Sequence, residues 1–217
     1  MIWHEHFALQ RAPFSKDVDD TDLWLTPHKK QAVDDLADAI NDRVTGALIV
    51  GDAGVGKSCV LRALRWQLRD SNVRLTYCHN TTLGRRDFYR QICTALGLSP
   101  RATAAGVFDA VSTYVQELAC EQLHPVFLID EAHLLHQDVL DHLHILANYE
   151  WDSRPLLTLV FAGLPELWDR MLLRRNRSLW SRIHTRLRLP EPEPGDTVAY
   201  VDHRLRLAGA QADLFTT

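Results

Sequence analysis

The stretch best equipped for chemistry is a glycine-rich segment at residues 51–58, GDAGVGKS. It fits the pattern G-x-x-x-x-G-K-[ST], in which backbone N–H groups and a lysine surround the phosphates of a nucleotide. Glycines let the backbone approach phosphate at points where a Cβ atom would collide. The pattern therefore predicts binding of a nucleoside triphosphate. The residues predicted to contact it are Gly51, Asp52, Ala53, Gly54, Val55, Gly56, Lys57, Ser58 and Cys59.

A second motif consists of two adjacent carboxylates, Asp130 and Glu131, after the apolar run 125–129. Two carboxylates at the end of a buried strand are costly unless a cation or a reactant uses them. We expect Asp130, together with the Ser58 hydroxyl, to hold Mg²⁺. Lys57 is expected to contact the β- and γ-phosphates, and Glu131 to orient and deprotonate the attacking water. The two motifs together predict a hydrolase.

Strands and helices must position these groups. An apolar run at 47–50 predicts a buried strand before the glycine-rich segment, and residues 59–68 have the apolar spacing of a helix. The remaining predicted strands are 73–79, 125–129, 156–162 and 186–189, and the remaining helices open at Pro27, Arg85, Ala104, Gln137 and Asp196, the last with Asp196 as N-cap.

Composition limits the class of protein. The chain has 217 residues, of which 46% are hydrophobic, enough for the core of one α/β domain with a small appendage. The net charge of −4 excludes a globally basic nucleic-acid protein, so any DNA contact must come from a local stripe. Four cysteines without CxxC spacing are typical of reduced thiols. With no signal-like start and no long apolar run, the sequence predicts a cytoplasmic protein without a membrane partner.

Two groups of side chains have alternative interpretations. Phe7, Pro13 and Phe14 could form a wall for a nucleotide base, but the sequence favours packing on the core. A zinc site needs three or four converging ligands, and the spacing of a histidine cluster does not establish one, so we interpret these histidines as surface or hydrogen-bonding residues. The cluster comprises His133, His136, His142 and His144.

Basic residues offer candidate DNA contacts. Arg85 and Arg86 open a predicted helix, where the helix dipole and two guanidinium groups would face one phosphate backbone, and Thr82 could add a hydroxyl contact. The competing interpretation is that both arginines pair with acids on a neighbouring helix. The arginine-rich stretch 170–188 is either a solvated helix face or a second phosphate-binding surface.

Several segments together resemble the ExeA-type AAA+ ATPases, and most closely their transposition helper branch, the relatives of TniB and TnsC. The resemblance implies a three-layer α/β fold, the AAA+ P-loop NTPase, with a five-stranded parallel sheet and helices on both faces. It also implies ATP and Mg²⁺ as cofactors, a homo-oligomeric ring or filament with ATP at subunit boundaries, non-specific binding to double-stranded DNA, and a transposase partner. The segments are HFALQRAPFSKDV, GDAGVGKS, FLIDEAH, LHILANYEWDSRPLLTLVFAGLPEL, SLWSRI and YVDHRLRLAG.

The same resemblance assigns further roles. Arg182 matches the arginine that points into a neighbour's ATP site, and Leu164 replaces a commonly polar sensor residue. The implied organisation is an N-terminal segment at 1–45, an ATPase core at 46–190 and the start of a largely absent helical lid at 191–217. Two other functions stay open: the ATPase module of a type II secretion assembly factor, and a lidless ATP-binding scaffold with little turnover.

Overall fold

Five parallel strands form the centre of the chain. A computed structural model describes residue 7 and residues 9–78, 82–99, 103–146 and 155–210. The sheet has the order β2-β3-β4-β1-β5, and every neighbouring pair is parallel. The strands are β1 (Gly46–Val50), β2 (Val73–Cys78), β3 (His124–Ile129), β4 (Thr158–Gly163) and β5 (Ile183–Arg188).

Eight α-helices connect and cover these strands within the described residues. Short 3₁₀ turns at Asp20–Asp22, Ala132–Leu134 and Arg174–Asn176 supplement them. No helix among the described residues has both the length and the apolar character needed to cross a bilayer. The helices are α1 (Pro27–Asn41), α2 (Lys57–Gln67), α3 (Arg85–Ala95), α4 (Ala104–Cys120), α5 (Gln137–Leu146), α6 (Glu166–Leu172), α7 (Arg177–Trp180) and α8 (Pro194–Leu207).

The helices divide between the two faces of the sheet. On one face α1 and α2 bury Leu36 and Val60 against the sheet. On the other, α3 to α7 bury a second cluster that includes Phe88 and Leu143. Strands β1, β3 and β4 are buried along their whole length, as expected for parallel strands covered on both sides. The predicted three-layer fold with a five-stranded parallel sheet is confirmed.

The two largest errors in the predicted boundaries concern β5 and α8. β5 begins at Ile183 instead of residue 186, because the alternating exposure of this edge strand hides its start among polar residues. Asp196 is not an N-cap. It is the third residue of α8, which begins at Pro194, and its carboxylate accepts the backbone N–H of Glu193. The end of the predicted strand at His79 lies outside the described residues.

A buried polar chain ties together the amino ends of three adjacent strands. The Thr158 hydroxyl, at the start of β4, donates to the carbonyl of Val44 just before β1 (2.5 Å). It therefore accepts a hydrogen bond from Nε2 of His124 at the start of β3 (2.8 Å), so that this nitrogen must carry the proton. Burial, with a smaller effect from the Arg43 charge, lowers the pKa of His124 to about 4.

This lowered pKa predicts acid-sensitive stability. The unfolded chain binds a proton at His124 below about pH 6.5, whereas the folded chain binds it only near pH 4. The free energy of unfolding should therefore fall as the pH drops from 6.5 to 4, with this residue contributing up to about 1.4 kcal/mol per pH unit. Denaturant unfolding at several pH values measures the slope. His124→Gln should flatten it, and the same substitution at exposed His28 serves as the control. A wild-type slope in His124→Gln would contradict the assignment.

Candidate active site

The glycine-rich segment 51–58 forms an open cradle between β1 and α2. Gly54 and Gly56 have φ values of 86° and 99°, a left-handed conformation that glycine adopts without strain. Gly56 is the N-cap of α2 and supplies no capping side chain. Within the described part of the chain, no side chain caps the first N–H groups of α2, which is the arrangement that suits a bound phosphate.

Lys57 places its ammonium group inside this cradle. Its Nζ donates to the carbonyl oxygens of Gly51 (2.8 Å) and Asp52 (3.0 Å), and the side chain is buried. No carboxylate pairs with it among the described residues. The carbonyls accept two of its three N–H groups but leave its charge without a counter-ion, as a phosphate-binding lysine requires. Of the other predicted contacts, Val55 is buried, Cys59 is half-buried, and Ala53, Gly54 and Ser58 are exposed.

Asp130 and Glu131 follow β3 at the same edge of the sheet. Asp130 is buried, and its Oδ1 accepts the backbone N–H of Glu131 at 2.9 Å. Its Oδ2 accepts the Tyr77 hydroxyl from β2 at 2.8 Å. Asp130 and Ser58 line one cavity of about 270 Å³, so the structure brings the two predicted Mg²⁺ ligands together. Hydroxyl and carboxylate oxygens are the donors that Mg²⁺ prefers.

Glu131 lies just beyond the end of β3 and has a backbone conformation that is unusual for a residue other than glycine. Its φ of 51° and ψ of 36° are left-handed, which costs about 1–2 kcal/mol for a residue with a Cβ atom. Its half-exposed carboxylate lies 3.4 Å from Nδ1 of His133, and that nitrogen is also 3.4 Å from the backbone N–H of Leu164. An imidazole thus lies beside the backbone of Leu164, the residue that the resemblance aligned with a commonly polar sensor position. The spacing of the histidine cluster predicted only a surface or hydrogen-bonding role for His133.

A larger cavity of about 570 Å³ opens beside the cradle. Its walls include Phe14 and Trp24 from the N-terminal segment, Cys59 from α2 and Tyr200 from α8. The Trp24 and Tyr200 rings lie 5.9 Å apart at 60°. Phe14 is half exposed on this wall, whereas Pro13 is buried as packing would require. The aromatic lining gives the cavity the character of a site for a planar base.

Side chains of α8 and α2 hold the N-terminal segment over this cavity through hydrogen bonds and ion pairs. Nε of Arg204 on α8 donates to the carbonyl of Pro13 at 2.6 Å. Asp20 pairs with Arg65 (2.6 Å) and Arg62 (2.7 Å) on α2. The hydrogen bond from Arg65 is the largest influence that lowers the pKa of Asp20. Sequence patterns gave no signal for Arg204, because a buried arginine in a helix looks like any other basic residue.

Arg182 lies far from its own cradle. It precedes Ile183, which pairs with Gly46 at the start of β1, whereas the cradle follows Val50 at the other end of that strand. The strand separates the two by about 13 Å. The Arg182 guanidinium donates to the carbonyl of Ser178 at 2.9 Å. The structure therefore does not bring Arg182 together with Lys57, Asp130 and Glu131 within one chain.

The predicted DNA contacts lie on the opposite face of the sheet from α2. Asp138 places Oδ2 3.4 Å from the backbone nitrogen of Arg85 and so caps α3 with a negative charge. The Arg85 guanidinium lies 2.5 Å from Nε2 of His142. Thr82 and Arg86 are exposed. The N-terminus of α3 is thus already occupied by a carboxylate, unlike the N-terminus of α2.

No cluster of three or more histidine, cysteine or acidic residues suited to a metal occurs in the described part of the chain.

Solved structures share this fold at low sequence identity. Cdc6p from Pyrobaculum aerophilum covers 88% of this chain and 54% of its own, with 18% identity and a TM-score of 0.68. The Aeropyrum pernix ORC1 protein, solved in complex with DNA, covers 90% of this chain and 52% of its own, with 18% identity and a TM-score of 0.67. The Drosophila ORC, also bound to DNA, has 18% identity and a TM-score of 0.64, covering 91% of this chain and 51% of its own. These similarities support the fold alone.

Sequence comparison gives a narrower result. General secretion pathway protein A from Aeromonas hydrophila is 31% identical over 218 residues, which is 99% of this chain and 40% of the relative. The chain thus spans less than half of that protein. A family model described as AAA domain matches residues 42–171, the region that contains the cradle and the Asp130–Glu131 pair. On this match and on the geometry of the site, the chain belongs to the AAA domain family of ATPases.

Proposed function

We propose that this chain binds ATP with Mg²⁺ and hydrolyses it when assembled with copies of itself. The observation that carries the proposal is the pairing of two features at one edge of the sheet. One is the uncapped N-terminus of α2 with the buried Lys57 ammonium, and the other is the buried Asp130 carboxylate beside Ser58. A cation-rich cradle next to an unneutralised acid is suited to a phosphate chain that carries a divalent metal ion.

The roles follow from these positions. The loop N–H groups and Lys57 bind the β- and γ-phosphates, and Ser58 and Asp130 hold Mg²⁺. When bound, Mg²⁺ neutralises charge that develops on the phosphate oxygens. Glu131 orients a water molecule and accepts its proton as the water oxygen attacks the γ-phosphorus. The bond from that phosphorus to the bridging oxygen breaks, and the products are ADP and phosphate. The cavity lined by Trp24 and Tyr200 receives the base.

The division of labour between Lys57 and Glu131 predicts two different defects. Glu131→Gln keeps the size of the side chain but removes the base, so it should retain ATP affinity while turnover falls by about 10²-fold or more. Lys57→Ala should weaken ATP binding itself. Calorimetric ATP titration and a steady-state ATPase assay distinguish the two effects. Equal losses of ATP affinity in both variants would contradict this assignment of roles.

Arg182 is the residue that makes hydrolysis depend on assembly. The Arg182 backbone lies about 13 Å along β1 from its own cradle, and its guanidinium is hydrogen-bonded to Ser178, so we assign it to the site of a neighbouring subunit. An arginine supplied by a second subunit stabilises the charge on the phosphates during transfer. Hydrolysis would then occur only at subunit boundaries in a homo-oligomer. A lidless scaffold that binds ATP without turnover would need no such arginine.

The trans role of Arg182 predicts complementation. Arg182→Ala should bind ATP like the wild-type chain but hydrolyse it at least 10²-fold more slowly. A mixture of Arg182→Ala and Glu131→Gln chains should recover part of the ATPase rate, because some boundaries pair an intact site with an intact arginine. Arg177→Ala is the matched control from the same basic stretch, and it should hydrolyse ATP at the wild-type rate. Absence of recovery under conditions where wild-type chains assemble would contradict a trans role.

For the cellular role, we propose ATP-dependent assembly on double-stranded DNA in support of a transposase. The resemblance of the sequence motifs to transposition helper ATPases supports this role. The 31% identity to General secretion pathway protein A favours a second candidate, an ATPase module in a secretion pathway. Retention on DNA in the ATP-bound state distinguishes the two roles.

Within the DNA proposal, the surface around Arg85 and Arg86 is the first candidate. Asp138 and His142 already contact Arg85, so this arginine would have to exchange those contacts for phosphate. Such an exchange is favourable only where many subunits act together through effective concentration. The arginines of the 170–188 stretch form the second candidate surface, and Arg175 there already pairs with Asp141 at 3.0 Å.

Salt dependence tests the first candidate. Binding of the assembled chain to duplex DNA should tolerate sequence changes, require ATP and weaken steeply with salt. Arg85→Ala/Arg86→Ala should reduce the slope of log affinity against log salt by about one to two units and leave ATP affinity unchanged. The matched control is Arg69→Ala/Arg74→Ala, which removes two other arginines. An unchanged slope in the first double variant would move the site to the 170–188 stretch. No DNA binding at low salt would favour the secretion role.

A further inference from the structure

Tyr77 occupies an unusual position for an aromatic residue on a strand. It is the penultimate residue of β2, the edge strand of the sheet, and 47% of its surface is exposed. It pairs in register with Leu128 of β3, and Asp130 follows Leu128 by two residues. Since side chains two residues apart on a strand point to the same face, the tyrosine reaches Asp130 along that face. Its hydroxyl donates to Oδ2 of Asp130 at 2.8 Å.

Asp130 is held by neutral donors on both of its oxygens. Oδ1 accepts the backbone N–H of Glu131, and Oδ2 accepts the Tyr77 hydroxyl. Among the described residues, no lysine or arginine pairs with this carboxylate, although the side chain is buried. Its negative charge is therefore stabilised without being cancelled. A carboxylate has about four acceptor positions, so two remain for a further partner.

Core packing does not account for the tyrosine. A ring with 47% exposure contributes little to the hydrophobic core, and a residue kept only for packing would not need a hydroxyl at this point. Tyr77 lines the 270 Å³ cavity together with Ser58 and Asp130. A hydrogen bond from outside the ligand set that fixes the orientation of a ligating carboxylate is a recurrent feature of metal sites.

We propose that Tyr77 is a positioning residue that holds the Asp130 carboxylate in the orientation required for Mg²⁺ to bind together with the nucleotide. This inference rests on the proposed function, because it assigns Tyr77 to the Mg²⁺ side of the ATP site. Tyr77 acts through Asp130 and touches neither the phosphates nor the attacking water. Its removal should therefore change the dependence on Mg²⁺ and leave metal-free nucleotide binding intact.

Tyr77→Phe deletes the hydroxyl and keeps the ring. The test is the affinity for ATP by calorimetry in EDTA and across a series of Mg²⁺ concentrations. In EDTA the variant should match the wild-type chain within about twofold. The Mg²⁺ concentration that gives half of the metal-dependent gain in affinity should rise by about 10- to 100-fold. The matched control is Tyr114→Phe, which removes the hydroxyl of a half-buried tyrosine on α4. This variant should behave as wild type.

A double variant tests whether the effect passes through Asp130. In an Asp130→Asn background, Tyr77→Phe should produce no further change in Mg²⁺ dependence, because the carboxylate that it positions is gone. Additive effects of the two substitutions would overturn the proposal, as would an unchanged Mg²⁺ dependence in Tyr77→Phe alone. If the ATP affinity of the wild-type chain did not change with Mg²⁺ concentration, both the inference and the proposed function would be overturned. A Mg²⁺-dependent wild-type chain with an equally dependent Tyr77→Phe variant would overturn the inference alone.

Discussion

The parallel direction of all five strands is the constraint on which the candidate site depends. Because every carboxyl end lies at the same edge, the cradle after β1 and the acids after β3 meet there, although β4 separates these two strands in the sheet. The ends of β1 and β4 are joined where the backbone N–H of Gly51 donates to the carbonyl of Gly163 at 3.2 Å. A Cβ atom on Gly163 would lie 2.9 Å from the Leu167 side chain and 3.2 Å from the backbone of His133. Close packing of β4 against the turn after β3 thus keeps this edge of the sheet compact.

The Lys57 ammonium and the Asp130 carboxylate both lie at this edge of the sheet but do not form an ion pair with each other. Lys57 is held by carbonyl oxygens and Asp130 by neutral donors, so neither uses its charge on the other. A direct ion pair between them would close the site and leave nothing for a ligand to complete. Burial of two separated, opposite charges is tolerable because each makes two hydrogen bonds to protein groups. An anion that carries a divalent cation has the opposite charge to each group: the anion to the Lys57 ammonium and the cation to the Asp130 carboxylate.

The N-terminal segment joins parts of the chain that are distant in sequence. It contacts α2 through Asp20 and α8 through the carbonyl of Pro13, so one strap of irregular backbone spans the mouth of the larger cavity. His203 of α8 contributes a further contact, 2.9 Å from the carbonyl of Asp22. The contact of Arg204 with Pro13 is buried, so movement of α8 relative to α2 would break buried as well as exposed polar contacts. Such a movement would also reshape the wall of the larger cavity, which includes Tyr200 of α8.

Local patterns in the sequence were sufficient for the strands, the cradle and the acidic pair, because each depends on residues that are neighbours in the chain. Thr26 and Pro27 set the start of α1, and the glycines of the cradle are required by backbone geometry alone. Only the tertiary structure decided which distant side chains complete the site. Tyr77 reaches Asp130 across two strands, and Asp138 caps the helix whose N-terminus the sequence offered to DNA. Such contacts join elements far apart in the chain, and their geometry follows from the register of the sheet and the packing of helices on it, which no local pattern encodes.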